Sequence, residues 1–341
     1  MVSRRGACLV SALALLPLLL ASAPSGAQEV TIRDWRGASV RVQEDAVDSD
    51  GVRIVVHTVG EGPLVVFVHS ITGPWFDFRH QMVALSADYR VVSMSTRGTD
   101  RSDKPVGVEH YASARIADDI NAIIDHFGEE KAIIIGQDSG GLHAWHFAMT
   151  YPARTNRLIS LGSVHPAGLI RELAENAEQQ RASRFQRNMQ ENPEAGATFG
   201  ERMRGSGPRP DDTAELARLR SEAYARLDPE SIVNFYKANW PRSPVTLETE
   251  GFGYTVGTFP AVQAPTLLIY GKESGPFTNA TLDGMWRWVD GDLTLRVLPG
   301  IGHGPHTEAP EIVTPMMTKW LRGQADDANA SDTADGEPAG R

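Results

Sequence analysis

Ala132-Ile133-Ile134-Ile135-Gly136-Gln137-Asp138-Ser139-Gly140-Gly141 reads as an apolar strand running into a tight turn, with small residues two before and two after Asp138. The helix that follows carries Leu142, Trp145 and Met149 on one face. A strained strand-to-helix turn holds its central side chain out where it can react, and glycines are needed because neither flank has room for a side chain. The segment therefore marks Asp138 as a candidate nucleophile. Read alone, it also fits a glycine-rich turn in which Asp138 only caps the helix.

Outward from this stretch, short apolar runs alternate with helical patterns from residue 51 onward. Strands are expected at Arg53 to Val59, Leu64 to Val68, Val91 to Met94, Ala132 to Ile135, Arg157 to Leu161, Thr266 to Tyr270 and Thr294 to Val297. The runs at 64–68 and 132–135 are apolar throughout, as in central strands buried on both faces. This predicts an α/β fold, a mostly parallel sheet flanked by helices. Between residues 167 and 262 the sequence turns charged and helix-favouring, as at Arg171 to Arg187 and Ala214 to Leu227. That stretch is expected to be an inserted helical cap over the carboxyl ends of the strands, where open α/β sheets bind ligands. Residues 28–166 and 263–322 would form the core.

The chain has 341 residues, 41% hydrophobic and 22% charged, enough for one large domain with an insertion. Residues 1–27 read as a secretory signal: Arg4 and Arg5, an apolar run from Leu9 to Leu20, then Ser25-Gly26-Ala27. The apolar run is about a dozen residues, short of the ~20 that a spanning helix needs, so export to the periplasm or medium is expected rather than membrane anchoring. Cys8 lies within the signal, leaving a mature chain without thiol or disulfide chemistry. The net charge of −10 argues against nucleic acid or an anionic membrane as partner. Residues 323–341, rich in Asp, Ala, Gly and Ser, are expected to be a disordered tail.

Gly300-Ile301-Gly302-His303-Gly304-Pro305-His306 follows the last expected strand and puts His303 on a loop at the sheet's carboxyl edge. There it could serve as general base to a nucleophile at Asp138. His303 and His306 as a metal pair is a weaker reading, because no clustered Cys or carboxylates supply further ligands, and no metal is expected.

Residues 51–322 resemble the epoxide hydrolase and haloalkane dehalogenase branch of the α/β-hydrolases, which use an aspartate nucleophile. The segments that carry the resemblance are Val65-Val66-Phe67-Val68-His69, Trp75 to Gln81, Arg97-Gly98 with Arg101 to Pro105, the elbow at Asp138, Tyr151-Pro152 with Arg157-Leu158, and the His303 loop. The resemblance implies an α/β-hydrolase fold with a helical cap, Asp138 as nucleophile, His303 as base, and no cofactor. Ser139 stands where haloalkane dehalogenases place Trp and fluoroacetate dehalogenases Arg, so epoxide hydrolases are the better match. Their cap carries an acid Tyr in a segment similar to Phe235-Tyr236-Lys237-Ala238-Asn239. Opening an epoxide with a carboxylate leaves an alkoxide that needs such a donor. Tyr236 as an ordinary packing aromatic is the alternative reading.

Three departures accompany the resemblance. Phe185 stands at the place of the second cap Tyr, leaving Tyr236 or a neighbour such as Gln186 to donate. His69-Ser70-Ile71-Thr72 replaces His-Gly-x-Pro, and the backbone N–H groups of Ile71 and Ser139 are expected to form the oxyanion hole. The acid that orients His303 should follow the strand ending at Tyr270, but Ser274 occupies its seat, so Glu273, one residue away, is the expected acid. Trp75 and Phe185 are expected to bind substrate, a small hydrophobic molecule. The competing functions are a hydrolytic dehalogenase with the same nucleophile and a non-catalytic binding protein on a hydrolase scaffold.

Overall fold

A computed structural model describes residues 29–334, with side chains through residue 323. Nine strands form one sheet: β1 (Glu29–Arg33), β2 (Ser39–Ser49), β3 (Val52–Val59), β4 (Leu64–Val68), β5 (Arg90–Met94), β6 (Ala132–Gln137), β7 (Thr155–Leu161), β8 (Thr266–Gly271) and β9 (Leu293–Leu298). Their order is β1-β2-β3-β5-β4-β6-β7-β8-β9. The pairs among β1, β2, β3 and β5 are antiparallel, and all pairs from β5 to β9 are parallel. The seven expected strands are β3 to β9. The hairpin β1–β2 escaped the sequence reading because its strands bury only one face, and charged residues such as Arg33, Arg41, Glu44 and Asp45 interrupt the alternation.

The central strands explain their own sequences. Val66, Val68 and Ile134 pack with Ile120 of α2 (Ser113–His126) and Trp145 of α3 (Ser139–Thr150) on one face. Their neighbours Val65, Phe67, Ile133 and Ile135 pack on the other face with Met82 of α1 (Arg79–Leu85) and the carboxyl-terminal helix. Alternate residues thus enter two cores, which is why no polar position interrupts these runs. The chain steps from β4 outward to β5 and returns to β6 on the other side of β4, so the order reverses between β4 and β6. The crevice outside their carboxyl ends is the place where such sheets take ligands.

Between β7 and β8 lie six helices: α4 (Pro166–Glu175), α5 (Ala177–Ala182), α6 (Arg184–Glu191), α7 (Ala195–Gly205), α8 (Ala214–Ala225) and α9 (Pro229–Asn239). They occupy the stretch expected to be the cap. Asn239 clamps α9 to the core: its Oδ1 accepts from Ser113 N–H at 2.7 Å, at the start of α2, and its Nδ2 donates to the Tyr111 carbonyl at 2.8 Å. A buried ion network makes a second tie, with Arg220 of α8 bonded to Asp212 and Asp77, and Arg79 of α1 to Asp211. The short α10 (Pro305–Glu308) is followed by α11 (Pro310–Ala334), which continues into the stretch expected to be a disordered tail. Alanines at 325, 328, 330 and 334 favour that extension. Residues 1–28, including the expected signal, and residues 335–341 lie outside the described residues.

Candidate active site

Asp138 sits directly after β6 with φ 51° and ψ −121°, a left-handed backbone that a non-glycine residue adopts only under constraint. The constraint comes from both sides of the elbow. A Cβ on Gly136 would fall on the Gly140 carbonyl oxygen, and one on Gly140 would fall on the Val68 carbonyl oxygen of β4. No larger side chain fits either position, which is the physical content of the small-residue spacing.

His303 lies on the loop after β9, and its Nε2 is 2.9 Å from Asp138 Oδ1. Both side chains are about a quarter exposed, at 27% and 24%, so solvent water can reach the pair. Several contacts hold the loop. Glu308 accepts from the N–H groups of Gly302, at 2.7 Å, and Gly304, at 2.8 Å, bracketing His303, and Gln137 Nε2 donates to the His303 carbonyl at 3.5 Å. His306 faces elsewhere: it packs on Phe78, ring centroids 4.9 Å apart, and burial holds its imidazole well below its ordinary pKa. The two imidazoles therefore serve different neighbours. Among the described residues no group of three or more His, Cys, Asp or Glu side chains could hold a metal.

The expected orienting acid is corrected. Ser274 Oγ lies 3.2 Å from His303 Nδ1, whereas the Glu273 carboxylate accepts from Gly300 N–H at 3.3 Å on the outer side of the turn. The reason is local: Gly271 at the end of β8 abuts the Gly302 carbonyl, and the Glu273 N–H donates to Ile301 O at 2.9 Å, so the next residue, Ser274, faces the imidazole. A serine hydroxyl can donate to or accept from Nδ1, so it serves either tautomer but places no negative charge beside it.

The oxyanion segment is also corrected in part. The Ile71 N–H donates to Ser139 Oγ at 2.7 Å, so it is engaged rather than free. The Ser139 N–H stands in the first turn of α3, where backbone donors lack helical partners. The displaced Gly73 closes a turn on the Ser70 carbonyl at 2.9 Å.

Tyr236 of α9 is buried, 6% exposed, in the wall of a cavity of about 200 Å³ that also holds Asp138, His303, Ile71, Phe185 and Gln186. Among the described residues its hydroxyl has no hydrogen-bond partner. Burial, and then the negative charge of Asp138, push the phenol's pKa well above its ordinary value, so it stays protonated and able to donate. Phe185 packs edge-on against Tyr236, ring centroids 5.8 Å apart, and lines the same cavity. Gln186 shares the wall, buried, its Oε1 without a partner among the described residues. Gln190 holds the cap around them, donating to the carbonyls of Tyr236 at 3.1 Å and Trp240 at 2.7 Å.

Trp75 is the remaining correction. It is 2% exposed and stacked on His57 of β3, centroids 3.8 Å apart and planes 8° from parallel, so it belongs to the core beneath the crevice. Its partner lies on a distant strand, and nothing in the local segment signals that stacking. Ser274, in contrast, occupies the seat that spacing alone indicates.

Comparison with known proteins agrees with this architecture. The family described as alpha/beta hydrolase fold matches residues 63–310. The chain is 39% identical to AB hydrolase superfamily protein YfhM of Bacillus subtilis (strain 168) over 123 residues, which cover 35% of this chain and 43% of that protein. The chain thus matches less than half of YfhM's length. It is 26% identical to Epoxide hydrolase 3 of Mus musculus over 323 residues, 88% of this chain and 82% of that one. The crystal structure of an epoxide hydrolase from Bacillus megaterium superposes with a TM-score of 0.71 at 24% identity, over 82% of this chain and all of that one.

Proposed function

The chain belongs to the alpha/beta hydrolase fold family, and from that premise we propose that it opens an epoxide to a vicinal diol through a covalent ester on Asp138. The observation that carries the reading is Tyr236: a buried, protonated phenol without a hydrogen-bond partner among the described residues, in the wall of the cavity that holds the Asp138–His303 pair. The names of the mouse relative and the Bacillus megaterium structure support the same reading.

Asp138 attacks a ring carbon, the carbon–oxygen bond breaks, and its electron pair goes to the ring oxygen, which takes the Tyr236 proton. His303 then removes a proton from water, and the hydroxide formed adds to the ester carbonyl of Asp138. The Ser139 N–H, with the Ser139 hydroxyl held by Ile71, faces the developing oxyanion. Collapse breaks the ester carbon–oxygen bond, and the leaving diol oxygen takes the proton of the Asp138 carboxyl so formed. The His303 imidazolium gives its proton, by way of solvent water, to the Tyr236 phenolate, and one water is consumed. Each residue acts from the position described above, and no metal or organic cofactor takes part.

A dehalogenase would need a halide donor after the nucleophile, and Ser139 instead holds the Ile71 N–H. Export through residues 1–27 belongs to this proposal, and N-terminal sequencing of the mature protein tests it. The activity is tested by offering terminal and disubstituted epoxides beside haloacids and haloalkanes. Diol without halide supports the reading, and halide release without diol overturns it.

A further inference from the structure

The Ser274 hydroxyl beside His303 has a second partner. Tyr270, near the end of β8, is fully buried, and its hydroxyl donates to the Phe277 carbonyl at 2.6 Å. The Ser274 side chain hydrogen-bonds the same phenol. A phenol carries one proton, and here that proton is committed to Phe277, so in this bond Ser274 is the donor and the Tyr270 oxygen the acceptor. Burial pushes the Tyr270 phenol's pKa up to about 12, so it stays protonated. Phe277 closes the group: its ring packs edge-on against His303, ring centroids 5.5 Å apart, while its carbonyl fixes the phenol.

Ser274 thus has one proton and two places to put it, the Tyr270 oxygen or His303 Nδ1 at 3.2 Å. The choice follows the charge on Asp138. While that carboxylate is ionised, 2.9 Å from Nε2, a neutral His303 keeps its proton on Nε2, and Ser274 donates to the bare Nδ1. An ester at Asp138 carries no charge, and a base acting on water needs Nε2 bare, so the imidazole proton must then stand on Nδ1. There it is donated to Ser274, whose own proton turns to Tyr270. The protons balance through solvent: one leaves Nε2 for water and one arrives at Nδ1 from water, His303 being 27% exposed.

Resting on the covalent route above, we propose that Tyr270 is a positioning residue, the hydrogen-bond acceptor that lets Ser274 hold His303 in the Nδ1–H tautomer during ester hydrolysis. The chain from His303 Nδ1 through Ser274 Oγ to the Tyr270 oxygen stands where a single carboxylate would otherwise accept the imidazole proton. Unlike a carboxylate, it also turns round, so the imidazole proton can return to Nε2 once Asp138 is ionised again.

Tyr270→Phe should slow ester decay about fivefold, the contribution of one neutral hydrogen bond, and leave ester formation at the wild-type rate. In a Ser274→Asp background the same change should cost less than about twofold, because a carboxylate accepts from Nδ1–H without passing a proton on. A loss that follows Tyr270→Phe into that background, or one shared by both steps, belongs to packing and overturns the proposal. The tautomer is read without turnover in Asp138→Ala, where no carboxylate holds a proton on Nε2. At about pH 8, above the ordinary histidine value, the ring-nitrogen NMR shifts of His303, assigned by their loss in His303→Gln, should show Nδ1–H. Adding Tyr270→Phe should remove that preference. Nε2–H in Asp138→Ala, or a tautomer indifferent to Tyr270, would overturn the proposal while leaving the covalent route in place. A wild-type single turnover that gives diol without passing through an ester would overturn both.

Discussion

Replacing Ser274 with Asp puts a carboxylate where a hydroxyl now meets His303 Nδ1 at 3.2 Å. In the proposed second step His303 would become an imidazolium, and a negative partner would stabilise that species where a hydroxyl only hydrogen-bonds it. A neutral hydrogen bond contributes ~1 kcal/mol net and a charged one roughly 1.5–3 kcal/mol. The Coulomb attraction at ~4 Å is about 4 kcal/mol at an effective dielectric of 20. With His303 27% exposed, solvent screens part of this, and a gain of about 1–2 kcal/mol remains, or roughly tenfold in the rate of ester hydrolysis. Ser274→Ala should slow the same step about threefold to tenfold. Rapid-quench single-turnover kinetics, following ester formation and decay separately, reads both effects. If Ser274→Asp folds with unchanged thermal stability and the ester decays no faster, Ser274 is not the group that supports His303 and the geometry argument fails.

Other outcomes follow from the same site. Tyr236→Phe should slow ester formation about a hundredfold and leave ester decay at the wild-type rate, again by single-turnover kinetics. Glu273→Gln should change kcat/KM by less than about twofold, because its carboxylate serves the Gly300 N–H and not the imidazole. His143 and His165 are buried and held to about 3, so between that value and the ordinary value near 6.5 the unfolded chain binds the extra protons. Stability should therefore fall as pH drops below about 6.5, by roughly 1.4 kcal/mol per pH unit for each residue. Urea unfolding of wild type and His143→Gln from pH 7 to 4.5 measures the slope, which the variant should reduce.

Much of the architecture is legible in the chain because its causes are local. The apolar runs of β4 and β6 feed two cores at once, and the glycines at 136 and 140 answer a steric demand within the elbow itself. Asp138, His303 and Tyr236 meet in one cavity because each sits at a place that element order dictates: the end of β6, the loop after β9, and the cap between β7 and β8. What local pattern does not carry is which of two adjacent side chains a turn points inward, and so Glu273 and Ser274 exchange roles. Nor does it carry contacts across the fold. The stacking of Trp75 on His57, the Ser139 hydroxyl on the Ile71 N–H and the Asn239 clamp each join residues far apart in sequence.

The most direct test of covalent catalysis follows the oxygen atoms. A single turnover of excess enzyme in heavy-oxygen water should leave the first diol unlabelled and put the label in the Asp138 carboxylate, because on the proposed route water attacks the ester carbonyl and not the epoxide. His303→Gln, which can alkylate but lacks the base, should show one added substrate mass on the peptide containing Asp138. Label entering the first diol directly, with no adduct on that peptide, would contradict the account.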